Sequence, residues 1–584
     1  MAAVLGLPMI AEAALDEALR TLDGRGMPAT GEIPLIEIGH GPEGPMVAVA
    51  VTAKTAGRLA VLLGRNPSLR RRIRLVDPEA LAAAFARIRS QKGRCPARAN
   101  LRRVAIRDVD DMLAGLVAAS GDRLARRAAT RGQVMLLALL SAAVLAGVAL
   151  APRVVFDLAN IAMCIGFLAQ AALRETARRL LAKGGFQPPM RPRDECAPGA
   201  LPPEKLPVYT VLVPLRDEAA VVSRLLLHIS ALRYPRDRLD IKLLVEDDDI
   251  ATLHALARRK LGPPFEIVMV PRCGPLTKPK ALGVGLVHAR GELVTVFDAE
   301  DRPDRNQLLD AAAAFAAGGP RLGCVQARLS IDHGGDAWIT GLFAIEYAML
   351  FDGVLPLLAH ADLPFLLGGT SNHFRLSVLR RLGGWDAWNV TEDADLAVRI
   401  AHAGYRSTVI ASTTYEEAPL TLRAWLRQRG RWQKGWLQTW MVHMRTPVGL
   451  WRALGARGFL ALQIQFFGGL FANAVLPLWL VLAGLTLMGR PVAGPDGSFR
   501  GDIGFTLAIA ALLLGYATAV SLAVAVLKAR PIGVSPRLLF SWPIYTLLLS
   551  LSMLRATWEW LRRPHHWAKT AHGLARRPVR PPRL

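Results

Sequence analysis

Cysteine is scarce and scattered: Cys95, Cys164, Cys196, Cys273 and Cys324 are the whole complement, and no two of them form a C-x-x-C pair. That excludes a disulfide framework and a zinc site built on paired cysteines, and it suits a reducing compartment. Acid is also in short supply, with 47 Asp and Glu against 72 Lys and Arg and a net charge of +25. Such an excess raises nucleic acid as a partner, but no nucleic-acid motif is recognisable. The basic residues instead gather beside apolar runs, in GDRLARRAATRG, RETARRLLAKGG and the tail after Arg555. Positive-inside placement and contact with anionic lipid put them there. The N-terminus MAAVLGLPMIAEAALDEAL has no basic leading region and carries Glu12 and Asp16, so it does not read as a cleaved signal peptide.

What is abundant is apolar sequence, 52% of 584 residues, which indicates a membrane protein with soluble parts. Residues 1–110 read as a small soluble α/β domain, with MVAVAVTA and RRIRLV as strands and ALDEALRTL and PEALAAAFARI as helices. The stretch from IPLIEIGH to AAFARIRS resembles the N-terminal domain of type II secretion ATPases. Some relatives of that module bind cyclic di-GMP, so a cyclic dinucleotide is one candidate partner and a plain docking role is the other. Val134 to Ala151 and Val154 to Leu173 form an apolar hairpin, residues 134–173, split by Pro152 and Arg153 and basic on both outer flanks. Residues 205–447 turn soluble and alternate strand-like runs (VYTVLVPL, IKLLVE, FEIVMV, ELVTVF) with helical patterns, which predicts a parallel sheet with crossover helices.

Residues 459–556 are apolar again, in three runs, and residues 557–584 form a basic tail. Three spans would leave that tail outside, yet residues 555–584 hold eight Arg and Lys against the single acid Glu559. The conflict is resolved by taking Leu538 to Leu554 as re-entrant or interfacial, with the tail cytoplasmic; a split of the 30-residue run from Phe459 is the alternative.

Within the soluble region, acids collect where strands should end. ELVTVF delivers Asp298, Glu300 and Asp301, and IKLLVE delivers Glu246 to Asp249. Carboxylates at strand carboxyl ends suit a divalent cation or the donors of a nucleoside, although each cluster alone is more often a solvated turn. Lys278 and Lys280 precede a helix, where lysines can meet phosphate oxygens. Thr391 stands ready to cap the helix DADLAVRIAHAG, and Glu392 and Asp393 lie at its start. A carboxylate there can serve as a general base. RAWLRQRGRWQKGW places Gln428, Arg431 and Trp432 on a basic, aromatic helix that either lies at the headgroup interface or offers a guanidinium and an indole face to a sugar phosphate.

In this order, from Pro207 to Gly573, these segments resemble a family 2 glycosyltransferase of the membrane-embedded branch that includes bacterial cellulose and hyaluronan synthases. The resemblance implies an α/β fold of GT-A type, Rossmann-like and nucleotide-sugar-binding, as a cytoplasmic domain inserted between transmembrane helices of a bacterial inner membrane. By motif, Asp247 and Asp248 resemble the acidic pair at the uridine, with the alignment open by one residue because the chain reads EDDD. Lys278 resembles the lysine of K-x-x-A-L-N, although Gly283 replaces the Asn. Asp298 and Glu300 match D-x-D with Glu in the last place and imply Mg²⁺ or Mn²⁺, with Asp301 as a substitute ligand. Asp393 matches the base of T-E-D beside Glu392, and Gln428, Arg431 and Trp432 match Q-x-x-R-W. LGGTSNHFR, with Gly369 and Thr370, resembles the segment along the acceptor path. Trp567, Thr570, His572 and Gly573 resemble a gating loop over the nucleotide sugar, with Lys569 where Val is usual.

The resemblance thus implies an inverting hexosyltransferase that uses a UDP-sugar to extend a β-linked polysaccharide. Transfer to a lipid acceptor is the alternative, and a non-catalytic nucleotide-sensing receptor is an alternative of another class. About four firm spans are fewer than a self-sufficient channel needs, so extrusion would call for an export partner or a dimer.

Overall fold

The computed structural model describes residues 101–185, 202–259, 261–488 and 503–565, three strands among the first hundred residues and a few isolated positions there. The chain divides into two units, Met1–Ala99 with Leu253–Leu261, and Asn100–Thr252 with Gly262–Leu584. In the first, β1 (Leu35–Gly41) pairs antiparallel with β2 (Gly44–Ala50), which runs parallel to β3 (Ile73–Val76). β2 and β3 fall on the two runs expected as strands. The expected helices ALDEALRTL and PEALAAAFARI lie outside the described residues.

The second unit is built on a nine-stranded sheet. Its strands are β4 (Leu101–Arg103), β5 (Tyr209–Leu215), β6 (Leu239–Glu246), β7 (Phe265–Val270), β8 (Leu293–Val296), β9 (Arg302–Pro303), β10 (Leu322–Ile331), β11 (Asn372–Arg375) and β12 (Arg406–Glu416), in the order β4-β7-β6-β5-β8-β11-β10-β12-β9. Strands β4 to β8 pair in parallel, as the alternation of strand and helix demands. Chain order runs outward from β5 through β6 to β7 and then returns to β8 on the other side of β5. That reversal opens a crevice at the carboxyl ends of β5 and β8, where ligands of such sheets bind. The sheet is mixed rather than parallel throughout, because β11 enters antiparallel between β8 and β10. Its four residues are too few to show a period, so the sequence gives it no signal.

The helices that matter below are α1 (Ile106–Ser120), α2 (Arg131–Leu150), α3 (Pro152–Ala182), α4 (Lys278–Val287), α5 (Trp338–Ala348), α6 (Glu392–His402), α7 (Leu422–His443), α8 (Pro447–Leu487), α9 (Ile503–Ala529) and α10 (Trp542–Arg562). Residues 101–127 are part of the sheet unit. β4 extends its edge, Arg102 pairs with Glu266 at 2.7 Å, and a Cβ on Gly283 of α4 would stand 2.7 Å from Met112 Sδ of α1. Beyond α1, the Ala125 N–H donates to Asp386 at 2.5 Å and Arg445 donates to the Leu124 carbonyl at 3.0 Å.

Among the described residues, five helical stretches are long and apolar enough to cross a membrane: Arg131–Leu150, Trp338–His360, Pro447–Val481, Thr506–Ala529 and Pro536–Arg562. The expected hairpin appears as α2 and α3, joined through Ala151, with Thr130 capping α2 by accepting from the Gln133 N–H at 3.2 Å. Trp338–His360 lies in the region expected to be soluble. It is 72% buried within the protein, a core helix with the length and composition of a span. α8 is interrupted at Gly455, whose φ of 68° only glycine adopts readily, so a short helix precedes the long one. Leu538 to Leu554, expected to be re-entrant or interfacial, lies in a 3-10 turn, Pro536–Ser541, and the continuous helix α10 that follows; Pro543 sits in the first turn of α10, where a missing N–H costs nothing.

α10 packs along α7 through polar contacts. Ser552 donates to Gln433 at 2.8 Å, Gln433 donates to the Leu549 carbonyl at 3.2 Å, and Lys434 lies 3.7 Å from Glu559. At the start of this seam Arg429 forks onto Glu346 of α5, to which Tyr545 also donates at 2.5 Å. The same guanidinium lies 4.4 Å from the Phe343 ring centroid and 4.6 Å from that of Trp432. Removing one partner of such a buried pair strands the other charge, which costs about 3–5 kcal/mol. We therefore predict that Arg429→Met lowers the melting temperature by several degrees and that Arg429→Met/Glu346→Leu recovers part of the loss, as measured by thermal unfolding in detergent. An unchanged melting temperature in the single variant would contradict this role.

Candidate active site

Each expected site segment sits at the carboxyl end of a strand or the start of a helix bordering the crevice. The four acids after β6 divide by environment. Glu246 is buried in a pair with Arg216 and lies 3.6 Å from Lys280. Asp249 is spent on the loop, accepting from the N–H groups of Thr252 at 3.1 Å and Asp217 at 2.6 Å. Asp247 is exposed and Asp248 half-buried, beside Arg272, whose N–H reaches Asp247 at 3.2 Å and whose guanidinium reaches Asp248 at 3.0 Å. Asp247 and Asp248, the pair chosen by motif, are thus the two of the four that are not buried.

The two lysines prove unlike, and both belong to the first turn of α4 rather than preceding it. Lys280 is wholly buried and donates to the Pro271 carbonyl at 3.0 Å. Lys278, which follows the capping Thr277, reaches into the crevice. Its ammonium lies 2.6 Å from Asp298, 2.8 Å from the Gly369 carbonyl and 3.9 Å from Glu392. Burial alone would lower its pKa, but Asp298, Glu392 and Asp393 together hold it above the usual value.

Beyond β8 the carboxylates crowd. Asp301 is fully buried; one oxygen accepts from the Asp298 N–H at 2.7 Å and from the Thr370 hydroxyl. Its other oxygen, Oδ1, has no hydrogen-bond partner. Burial pushes Asp301 well above the carboxylate range, and Asp298, Glu416 and Glu300 push it further. Glu416, at the end of β12, is raised to about 8 by burial and then by Glu300 and Asp298. Its sequence signal, two acids before a proline in YEEAP, was too weak to single it out. This donor set fits a hard divalent cation: every group is an oxygen donor, negative charge is in surplus and one buried oxygen is unpartnered. No three His, Cys, Asp or Glu residues form a metal-holding group among the described residues. An ion would therefore take one or two carboxylates and complete its shell with phosphate oxygens and water, the habit of Mg²⁺.

Across the crevice, α6 brings Glu392 and Asp393. Thr391 occupies the N-cap position but does not cap: its hydroxyl lies 3.5 Å from Thr439, and its methyl would be 2.4 Å from a Cβ on Gly435 of α7. The expected cap is thus given up for close packing of α6 on α7. The freed first turn is served by Asp393 itself, which accepts from the Ala394 N–H at 2.8 Å. Burial raises Glu392 to about 7, with Lys278 opposing and Asp393 reinforcing the shift. Burial likewise raises Asp393, against the pull of the Ala394 N–H, Lys278 and Arg431.

Arg431 of α7 faces Glu392, Asp393 and Asp298. Trp432, half-buried, stacks on Tyr347 with ring centroids 6.4 Å apart. Gln428 is buried with its Oε1 unpartnered. Gly369 borders Asp393: a Cβ there would be 3.4 Å from Asp393 Oδ2. Trp567, Lys569, Thr570, His572 and Gly573 lie outside the described residues. The chain approaches them beside the site, with His565 3.4 Å from both Gln438 and the Trp388 carbonyl.

The chain is similar to several known proteins. A family model described as glycosyl transferase family group 2 matches residues 293–524, which leaves residues 1–110 outside it. A probable glycosyltransferase of Bacillus subtilis, YdaM, is 26% identical over 242 residues, covering 40% of this chain and 56% of that protein. Probable glucomannan 4-beta-mannosyltransferase 2 of Oryza sativa is 28% identical over 309 residues, covering 50% and 51%. The beta-monoglucosyldiacylglycerol synthase of Synechocystis is 25% identical over 281 residues, covering 47% and 58%. The chain thus spans little more than half the length of these relatives. Among solved structures, the mannosyltransferase PcManGT from Pyrobaculum calidifontis, in complex with GDP-Man and Mn²⁺, is 21% identical with a TM-score of 0.46, covering 70% of this chain and 99% of that one. Residues 293–524 thus match glycosyl transferase family group 2, and the chain is similar to these glycosyltransferases.

Proposed function

We propose that the chain is an inverting hexosyltransferase that uses a UDP-sugar to extend a β-linked polysaccharide at the cytoplasmic face of a bacterial inner membrane. The observation that carries this reading is the half-buried Lys278 ammonium, 2.6 Å from Asp298 on the donor side and 3.9 Å from Glu392 on the acceptor side. Asp247 and Asp248 receive the nucleoside. Arg431 faces the diphosphate, and a Thr570 loop would cover it. Asp298 and Glu300 are the residues that would hold Mg²⁺ or Mn²⁺; when bound, such an ion supplies neutralisation of charge on the departing diphosphate.

Asp393 takes the proton of the acceptor hydroxyl as that oxygen attacks the anomeric carbon and the bond to the diphosphate breaks on the opposite face. A single displacement inverts the centre, so an α-linked donor gives a β-linkage. Glu392, Gln428, Trp432, Gly369 and Thr370 line the acceptor side. Orientation rests on the basic flanks of the α2–α3 hairpin and the basic tail. A second reading, transfer to a lipid acceptor, is favoured by the relatives named as beta-monoglucosyldiacylglycerol synthases.

The direct test is nucleoside diphosphate release in lipid vesicles across a panel of UDP-sugars and GDP-mannose. Release with one donor supports the reading, and product size separates polymer from glycolipid; no release with any donor favours a nucleotide-sensing receptor. Asp393→Asn should keep UDP binding and lose about 10²–10⁴ in kcat, so near-normal transfer would remove Asp393 from the role. Asp298→Ala should weaken Mn²⁺-dependent UDP binding by at least about tenfold in calorimetry, and unchanged affinity would count against the metal site. The base works ionised and the Glu392–Asp393 pair titrates upward, with Glu392 at about 7. Rates should therefore be full above about pH 8 and fall as pH drops through about 7, whereas a profile flat to about pH 5.5 would contradict the pairing.

A further inference from the structure

Gln326 occupies the middle of β10, opposite Asn372 of β11 and Val409 of β12, and is fully buried. A buried amide is tolerated only when its hydrogen bonds are made. Here they are: Nε2 donates to the carbonyls of Ala327 at 2.9 Å, Thr370 at 3.0 Å and Ser371 at 3.3 Å, while Oε1 accepts from the Gly368 N–H at 2.9 Å. Turned over, the amide would set its oxygen against three carbonyls, so the backbone fixes its orientation. One side chain therefore grips the loop Gly368–Ser371 at both ends.

That loop needs holding, because Ser371 has a φ of 54°, in the left-handed region that side chains avoid. Its middle faces the chemistry. The Gly369 carbonyl accepts from Lys278 at 2.8 Å, a Cβ on Gly369 would lie 3.4 Å from Asp393, and the Thr370 hydroxyl donates to Asp301.

We propose that Gln326 is a positioning residue for glycosyl transfer: it fixes the Gly369 carbonyl, which fixes the Lys278 ammonium between Asp298 and the Glu392–Asp393 pair. The inference rests on the reading of Asp393 as the base. It assigns to a strand residue outside the recognised motifs the task of keeping the donor-side lysine and the acceptor-side base in register.

The test uses the full chain and Gln326→Glu, which keeps the shape and the Gly368 contact but presents oxygen to the Thr370 and Ser371 carbonyls. Three quantities are read: kcat, the Kd for UDP with Mn²⁺, and amide hydrogen exchange by peptide. The expected result is a fall in kcat of at least about tenfold, a Kd within about threefold, and faster exchange confined to the peptide around residues 366–375, since a small misplacement of reacting groups is costly to rate and not to binding. Gln326→Asn, which keeps the amide on a shorter stem, should fall between the two and supplies the readouts if Gln326→Glu does not fold. Retention of kcat within about twofold with unchanged exchange would overturn the proposal. So would parallel losses of kcat, UDP affinity and protection throughout the domain, which describe a merely structural residue. If the wild-type chain transfers no sugar at all, the proposed function fails, while the exchange measurement still decides whether Gln326 holds the loop.

Discussion

A single half-buried ammonium holds the candidate site together. Lys278 stands in an electric field set by Asp298, Glu392 and Asp393, with Asp301 and Glu416 just beyond Asp298. Without it, Arg431 would be left to offset Asp298, Glu392 and Asp393 across the crevice. Its presence leaves the donor side still over-supplied with negative charge, which is why burial and mutual repulsion raise Asp301 and Glu416. Carboxylates left short of positive charge in this way fit a divalent cation.

The same crevice is tied to the helices expected to meet the membrane. α7 carries Arg431 on the side of the site, Trp432 against Tyr347 of α5, and Arg429, Gln433 and Lys434 against α5 and α10. Gly435 lets Thr391, at the start of α6, come close, so the helix bearing Asp393 and the helix bearing Arg431 pack together. Residues 121–127 add a further tie, because Arg445 beyond the end of α7 and Asp386 before α6 both hold the strand of chain that leads into α2.

Much of this was legible in the sequence, for identifiable reasons. β5, β6 and β8 announce themselves as apolar runs ended by charge, and the buried core of a parallel sheet permits little else. Lys278, Asp298, Asp393 and Arg431 were found by ordered motifs, and they border one crevice. Side-chain commitments were not legible. Nothing in EDDD says that Glu246 and Asp249 are consumed by Arg216 and by loop N–H groups, leaving Asp247 and Asp248. Thr391 has the sequence context of a cap, yet packing against Gly435 prevailed. Trp338–His360 was hidden because its burial is by protein, which composition cannot distinguish from burial by lipid. Gln326 and Glu416 stand outside any motif and acquire their surroundings only when β10, β11 and β12 come together.

The central claim is a single displacement with Asp393 as base, and the most direct measurement is the anomeric configuration of the first-formed product. Proton NMR of the transferred sugar, taken before any re-equilibration and with an α-linked donor, should show a β-linkage. An α-linkage would contradict the account, because retention requires two displacements or an internal return for which this arrangement of one base and one lysine makes no provision.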